Sequence, residues 1–155
     1  MRLIAPLLAR YDSAVRQLTG RLPESAVLVL VRLALGGVFW RSGQTKVEEG
    51  TWFQLTDSTY GLFRTEYAGV PLPPELAAVM ANAAEHVLPV LLVAGLFTRG
   101  AALGLLAMTL TIQFFVYPDA WWSEHSLWAA LALVLAMRGA GLFSLDALLL
   151  SFRAK

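Results

Sequence analysis

Long apolar runs separated by short polar breaks dominate the chain. Three of them, over 26–46, 75–97 and 100–117, are long enough to cross all or most of a bilayer core of about 30 Å at about 1.5 Å per residue. A fourth run, Ser126 to Met137, reaches only about 18 Å. Its crossing is therefore expected to begin near Ala120 and to carry Trp121, Trp122, Glu124 and His125 into the interface. The pattern predicts an all-α integral membrane four-helix bundle, with helices at about 26–46, 75–97, 100–117 and 120–138 and an external loop over 47–74.

The flanks read differently. Over 3–22, Leu3, Leu7, Tyr11, Val15, Leu18 and Leu22 recur at helical spacing against Arg2, Asp12, Ser13 and Arg16. This predicts an amphipathic interfacial helix within a cytoplasmic segment 1–25, separated from the first crossing by Gly20 and Pro23. The fourth helix should stop at Gly139 and Gly141. Ser144 then offers a cap for a short C-terminal cytoplasmic helix with Asp146 in its first turn, ahead of a tail over 151–155. In the external loop, Thr56, Tyr60, Phe63 and Tyr67 fall on one side of a further short helix, and the Pro71, Pro73 and Pro74 segment ends it stiffly. Its aromatic residues form either an interfacial belt or a lid over an outward pocket.

Composition supports the membrane reading: 57% of residues are hydrophobic and 15% charged, with a mean hydropathy of +0.62. There is no cysteine, which excludes disulfides, iron-sulfur clusters and thiolate metal sites within the chain. The formal charge of +1 is spread without a basic stripe, so no nucleic-acid partner is expected. Arg2, Arg10, Arg16, Arg21, Arg99, Arg138, Arg153 and Lys155 fall on one side of the predicted crossings. Only Arg41, Lys46 and Arg64 fall on the other, among several acids. The positive-inside rule then makes both termini cytoplasmic.

Chemistry concentrates in the first two crossings. Glu85 lies mid-helix, where a carboxylate costs about 2.5–3.5 kcal/mol on insertion scales. It shares a narrow stripe with Ala78, Ala81 and Pro89, flanked by Asn82 and His86. Such a stripe should face the bundle interior. There it acts either as a structural knot or as a group that exchanges protons or binds ligand, with Glu85 and His86 as the candidate proton carriers. The first crossing aligns Arg32, Gly36, Phe39, Gly43 and Lys46. This is either a packing seam with cations reaching the interfaces, or a source of cations for a buried anion or a ligand. Arg32, Lys46, Asn82, Trp40 and Arg41 are thus candidate ligand-binding residues, with Arg32 and Arg41 as the arginines considered for Glu85. Arg99, in the short link between helices two and three, suits the C-terminal dipole of helix two.

His86 and His125 sit at different expected depths, which argues against a shared haem iron. Glu85, His86 and His125 match no standard metal-ligand spacing, so no metal site is assigned. No nucleophile elbow and no phosphate-binding or dinucleotide motif is present. No covalently bound cofactor is expected, and any redox carrier would be a diffusible lipid-phase molecule such as a quinone.

Several segments together carry a family resemblance: Arg32-Leu33-Ala34-Leu35-Gly36 with Gly43 and Lys46; Glu85 before Pro89; Gly95-Leu96-Phe97-Thr98-Arg99; and Gly139-x-Gly141 leading to Ser144 and Asp146. From about Val29 to Leu150 the chain resembles the DoxX family of small bacterial membrane proteins, related to the DoxD subunit of thiosulfate:quinone oxidoreductases. The resemblance implies a bacterial inner (plasma) membrane location, a four-helix core and association with a soluble or membrane redox partner protein. It marks Gly36, Gly43, Arg99, Gly139, Gly141, Ser144 and Asp146 as structural pattern residues. Three roles follow as expectations. The first is a quinone-associated oxidoreductase subunit with a cleft between helices one and two. The second is a non-catalytic anchor or accessory factor in metal or oxidative stress. The third is transport of a small solute or metal by a homo-oligomer joined through Gly36 and Gly43.

Overall fold

The computed structural model describes residues 11, 12, 15, 17 and 19–153. The amphipathic helix expected over 1–25 lies for the most part outside the described residues. The elements are α1 (Arg21–Gln44), α2 (Asp57–Thr65), α3 (Pro74–Ala94), α4 (Thr98–Phe115), a 3₁₀ turn (Pro118–Ala120), a π-helical turn (Trp121–His125), α5 (Ser126–Arg138) and α6 (Leu145–Arg153). Three of these, α1, α3 and α4, are long and apolar enough to cross a membrane.

Local chemistry explains the boundaries. Pro23, expected to separate two helices, instead lies in the first turn of α1, behind Gly20 as N-cap. A proline there forfeits no helical bond, because the first N–H groups of a helix have no intrahelical acceptor. Pro74 occupies the first turn of α3 for the same reason. That helix ends earlier than expected, at Ala94, where Gly95 turns left-handed and the Gly95 and Leu96 N–H groups donate back to Leu92 and Leu91 carbonyls. Thr56 caps α2 by accepting from the Thr59 N–H at 3.2 Å, and Ser144 caps α6 by accepting from the Ala147 N–H at 3.1 Å. The expected tail over 151–155 begins inside α6, which continues to Arg153.

The long helices form a ring in which α1 packs on α3 and α5, and α4 packs on α3 and α5. Neighbours run antiparallel. Gly36 faces Pro89 and Val93 whereas Gly43 faces Glu85 and His86, and Arg138 meets Glu24 across α1 and α5. Leu28, Leu35, Phe39, Leu92, Leu105 and Leu135 fill one half of the ring. The other half holds buried Lys46, Glu85, Gln113 and His125. Phe39, edge-on to Trp128 at 5.6 Å, lies at the boundary.

The outward faces are apolar: Leu30, Leu33, Val79, Val90, Phe114 and Met137 are all exposed. Charged groups inside and large apolar side chains outside invert the soluble pattern and suit a lipid solvent. The loop after α1 is not free. An antiparallel bridge joins Val47 to Leu55, and Gly69 passes so close to the Phe115 carbonyl that a Cβ would stand 2.6 Å from its oxygen.

Candidate functional site

Lys46 follows the last turn of α1, where the chain bends back at Thr45. Its ammonium donates to the Ser42 carbonyl at 3.2 Å, Ser42 Oγ at 2.9 Å and Glu85 Oε1 at 3.0 Å. Those three bonds use all three ammonium hydrogens. Ser42 Oγ also donates to Oε1, at 2.9 Å. Glu85 Oε2 stands 2.9 Å from Lys46 Nζ. The ammonium thus lies against both carboxylate oxygens and closes the pair at a residue only 2% exposed. The ammonium also lies over carbonyls at the negative end of α1.

Two cavities meet at this carboxylate. An outer cavity of about 510 Å³ is lined by Ser42, Tyr67, Glu85, Asp119, Glu124 and His125, among others. A groove of about 230 Å³ runs between α3 and α4 under the loop that precedes α3, past Met80, Ala81, Ala84, Met108 and Thr111, and reaches Lys46 and Glu85. Glu85, Tyr67 and Ile112 line both. The groove therefore lies between the second and third long helices, not between the first and second as the sequence suggested. Gly36 and Gly43 close that first interface: a Cβ on Gly43 would stand 2.8 Å from His86 Cε1, and one on Gly36 would stand 3.1 Å from Val93 Cγ2. Both glycines serve contact within the chain, which corrects their assignment to an oligomer interface.

Tyr67 forms the wall between the cavities. Burial, followed by the nearby Tyr117, Glu85 and Glu66, pushes its hydroxyl up to about 12. Tyr117 donates to Glu66 Oε2, and that bond, followed by burial, pushes its pKa up as well. Both phenols remain donors at neutral pH. On the opposite wall, His125 Nδ1 bonds Gln113 Oε1 at 2.8 Å, while Gln113 Nε2 donates to the Pro118 carbonyl at 2.6 Å. An amide oxygen can only accept, so Nδ1 carries the proton and Nε2 is the acceptor nitrogen.

His86 does not join Glu85. Its Nδ1 faces the Asn82 carbonyl at 2.9 Å and its Nε2 faces the Gln44 amide nitrogen at 2.8 Å, an arrangement that fits a neutral ring. Trp40, Trp52 and Phe53 surround it, and it lines neither cavity. Asn82 is a clamp rather than a pocket residue, donating to the Trp52 carbonyl at 3.0 Å. Trp40 packs on His86 and Trp52. Arg41 is exposed.

Arg32 belongs to a separate knot, about 12 Å along the helices from Glu85. It donates to the Val93 carbonyl at 3.2 Å and the Phe143 carbonyl at 2.6 Å, so neither arginine considered for Glu85 reaches it. In the same knot the Asp146 carboxylate accepts from the Phe97 and Thr98 N–H groups at 2.9 and 3.0 Å, which places an anion at the positive start of α4. Arg99 lies beside Gly139, at the start of α4 and not on the carbonyl end of α3. Gly139 and Gly141 take positive φ values, and Gly141 packs against Ser25.

The sequence did not single out Ser42 or Gln113 as site residues, and it placed Tyr67 only among the loop aromatics of a belt or lid. Ser42 lies four residues before Lys46, a spacing that places two side chains on one helix face and could have revealed it. Tyr67 and Gln113 gain their roles only through tertiary contacts.

An all-helical chain with ionisable groups inside and an apolar exterior is a membrane protein. It belongs to the DoxX family, whose model matches residues 27–118. The matched stretch takes in α1 from residue 27 on, α3, α4, Lys46 and Glu85, and it ends before His125 and α5. No curated protein and no solved structure gives a match to the chain.

Proposed function

We propose that the protein binds a lipid-soluble, carbonyl-bearing ring of the quinone type in the groove between α3 and α4 and exchanges protons with it through Glu85. The observation that carries this reading is the buried Lys46–Glu85 pair at the junction of an apolar groove and a polar outer cavity. The alanines and methionines of the groove offer a smooth entry from lipid. A carbonyl oxygen brought to the inner end would draw a hydrogen from Lys46 in place of its 3.2 Å bond to the Ser42 carbonyl. Conversion of quinone to quinol takes two electrons and two protons. In this reading a partner protein supplies the electrons, and Glu85 relays protons drawn from the outer cavity. In this reading the protein sits in a bacterial plasma membrane with four crossings and cytoplasmic termini, as a subunit of a redox system.

The test is titration of the purified protein with short-chain ubiquinone and menaquinone analogues. Saturable binding is expected, and for the quinol forms, whose hydroxyl donates to the Glu85 carboxylate, it should weaken about tenfold in Glu85→Gln by loss of a charge-assisted hydrogen bond. Ala84→Leu, which fills the groove without touching the ion pair, should abolish it. Absence of saturable binding, or binding indifferent to both substitutions, overturns the reading.

A further inference from the structure

The outer cavity carries a charge pattern that a neutral ring in the groove does not need. Its lining includes three carboxylates, Glu85, Asp119 and Glu124, and no lysine or arginine. Lys46, which pairs with Glu85, lines the groove and not this cavity. Phe39, Tyr67, Tyr117 and Trp128 supply aromatic surface. At about 510 Å³ the space falls within the range of small-molecule sites, about 300–1,000 Å³.

One buried acceptor in this space has no donor. His125 is 2% exposed, and with Nδ1 held by Gln113 its Nε2 makes no hydrogen bond among the described residues. Lys46 balances Glu85, whereas Asp119 and Glu124 meet no lysine or arginine in the lining, so an anion is disfavoured here. A cation bearing N–H donors satisfies these two carboxylates, the free imidazole nitrogen and the aromatic faces together.

We propose that the outer cavity is a binding site for a small protonated amine, with its ammonium group on His125 Nε2 and its carbon chain against Tyr67 and Trp128. The site shares Glu85, Tyr67 and Ile112 with the groove but does not depend on a quinone being the groove's ligand. Asp119 and Glu124, both exposed at the mouth, draw the cation in and hold its outer end electrostatically.

Calorimetric titration of the full chain in detergent at neutral pH, with n-butylammonium chloride set against n-butanol, tests this. The amine should bind saturably and the alcohol should not. Asp119→Asn combined with Glu124→Gln should weaken amine binding about tenfold, and Glu48→Gln combined with Glu49→Gln, on the same external segment but outside the cavity, should leave it unchanged. Quinone-analogue binding should persist in the Asp119/Glu124 variant, so failure of one reading is distinguishable from failure of the other. Equal binding of the alcohol, an equal effect of both double variants, or displacement of the amine by potassium at the same concentration overturns the proposal.

Discussion

Glu85 and Lys46 are each other's justification. Either charge alone in so dry a place would be left without a counterion, and breaking a buried pair from one side destabilises by about 3–5 kcal/mol. We expect Lys46→Met to lower stability against denaturing detergent by about 3 kcal/mol. The double variant Lys46→Met with Glu85→Gln should recover more than half of that loss, because no lone charge remains. Unfolding midpoints for the two single variants and the double variant check this, and simple addition of the two losses would show that the charges do not act as a pair. That Glu85 required a partner was legible from its place on a small-residue stripe. Which cation supplied it was not, because Arg32 and Lys46 fall on one stripe of the first crossing as the sequence predicts it. The antiparallel register decides the matter by setting Gly43 against Glu85 and Val93 against Arg32. His86 illustrates the same limit: adjacent to Glu85 in sequence, it points a quarter-turn away into an aromatic cage that only the folded loop provides.

At the scale of helices, the contact of α1 with α3 depends on absent side chains. A methyl group on Gly43 would press on the His86 ring and on Glu85 Cβ at once, and overpacking of this kind costs about 1–3 kcal/mol. Gly43→Ala should therefore destabilise the protein by about that amount and disturb the Lys46–Glu85 pair. Gly37→Ala is the internal control. No atom lies within 4 Å of the added carbon, and alanine is the better helix former by about 0.5–1 kcal/mol, so that variant should be neutral or more stable. Thermal or detergent unfolding of the two proteins gives the comparison, and equal behaviour would contradict close packing at Gly43. The glycine stripe was visible in the sequence, as were the three longest helices, because hydropathy and 3.6-residue spacing report burial directly. Helix ends were less legible. Pro23 reads as a break in one dimension but costs nothing in a first turn, and the π-helical turn at Trp121–His125 has no hydropathy signature. That turn aims His125 into the ring, so the outer cavity could not be assembled from sequence alone.

Across the whole molecule, polarity is divided by height. Apolar packing and the Arg32–Asp146 knot occupy one end, and the ion pair with its cavities occupies the other. The division gives proton or ligand exchange a direction only if the two ends face opposite sides of the membrane, and that depends on α5. Its Ser126–Arg138 helix spans only about 20 Å. Joined to the preceding 3₁₀ and π turns, the Pro118–Arg138 stretch approaches about 30 Å, enough to cross a bilayer core. Because the chain lacks cysteine, single introduced thiols can report topology without background. Ser58→Cys, in α2, and Ser151→Cys, in α6, lie at exposed positions. With α5 as a fourth crossing, an odd number of spans separates them, so a membrane-impermeant maleimide applied to sealed cells should label Ser58→Cys and spare Ser151→Cys until the membrane is opened. With α5 lying on the surface, only α3 and α4 intervene, and the two thiols would behave alike. Identical labelling would leave three crossings and place α6 beside the external loop, contrary to the cytoplasmic C-terminus that the arginine distribution predicts.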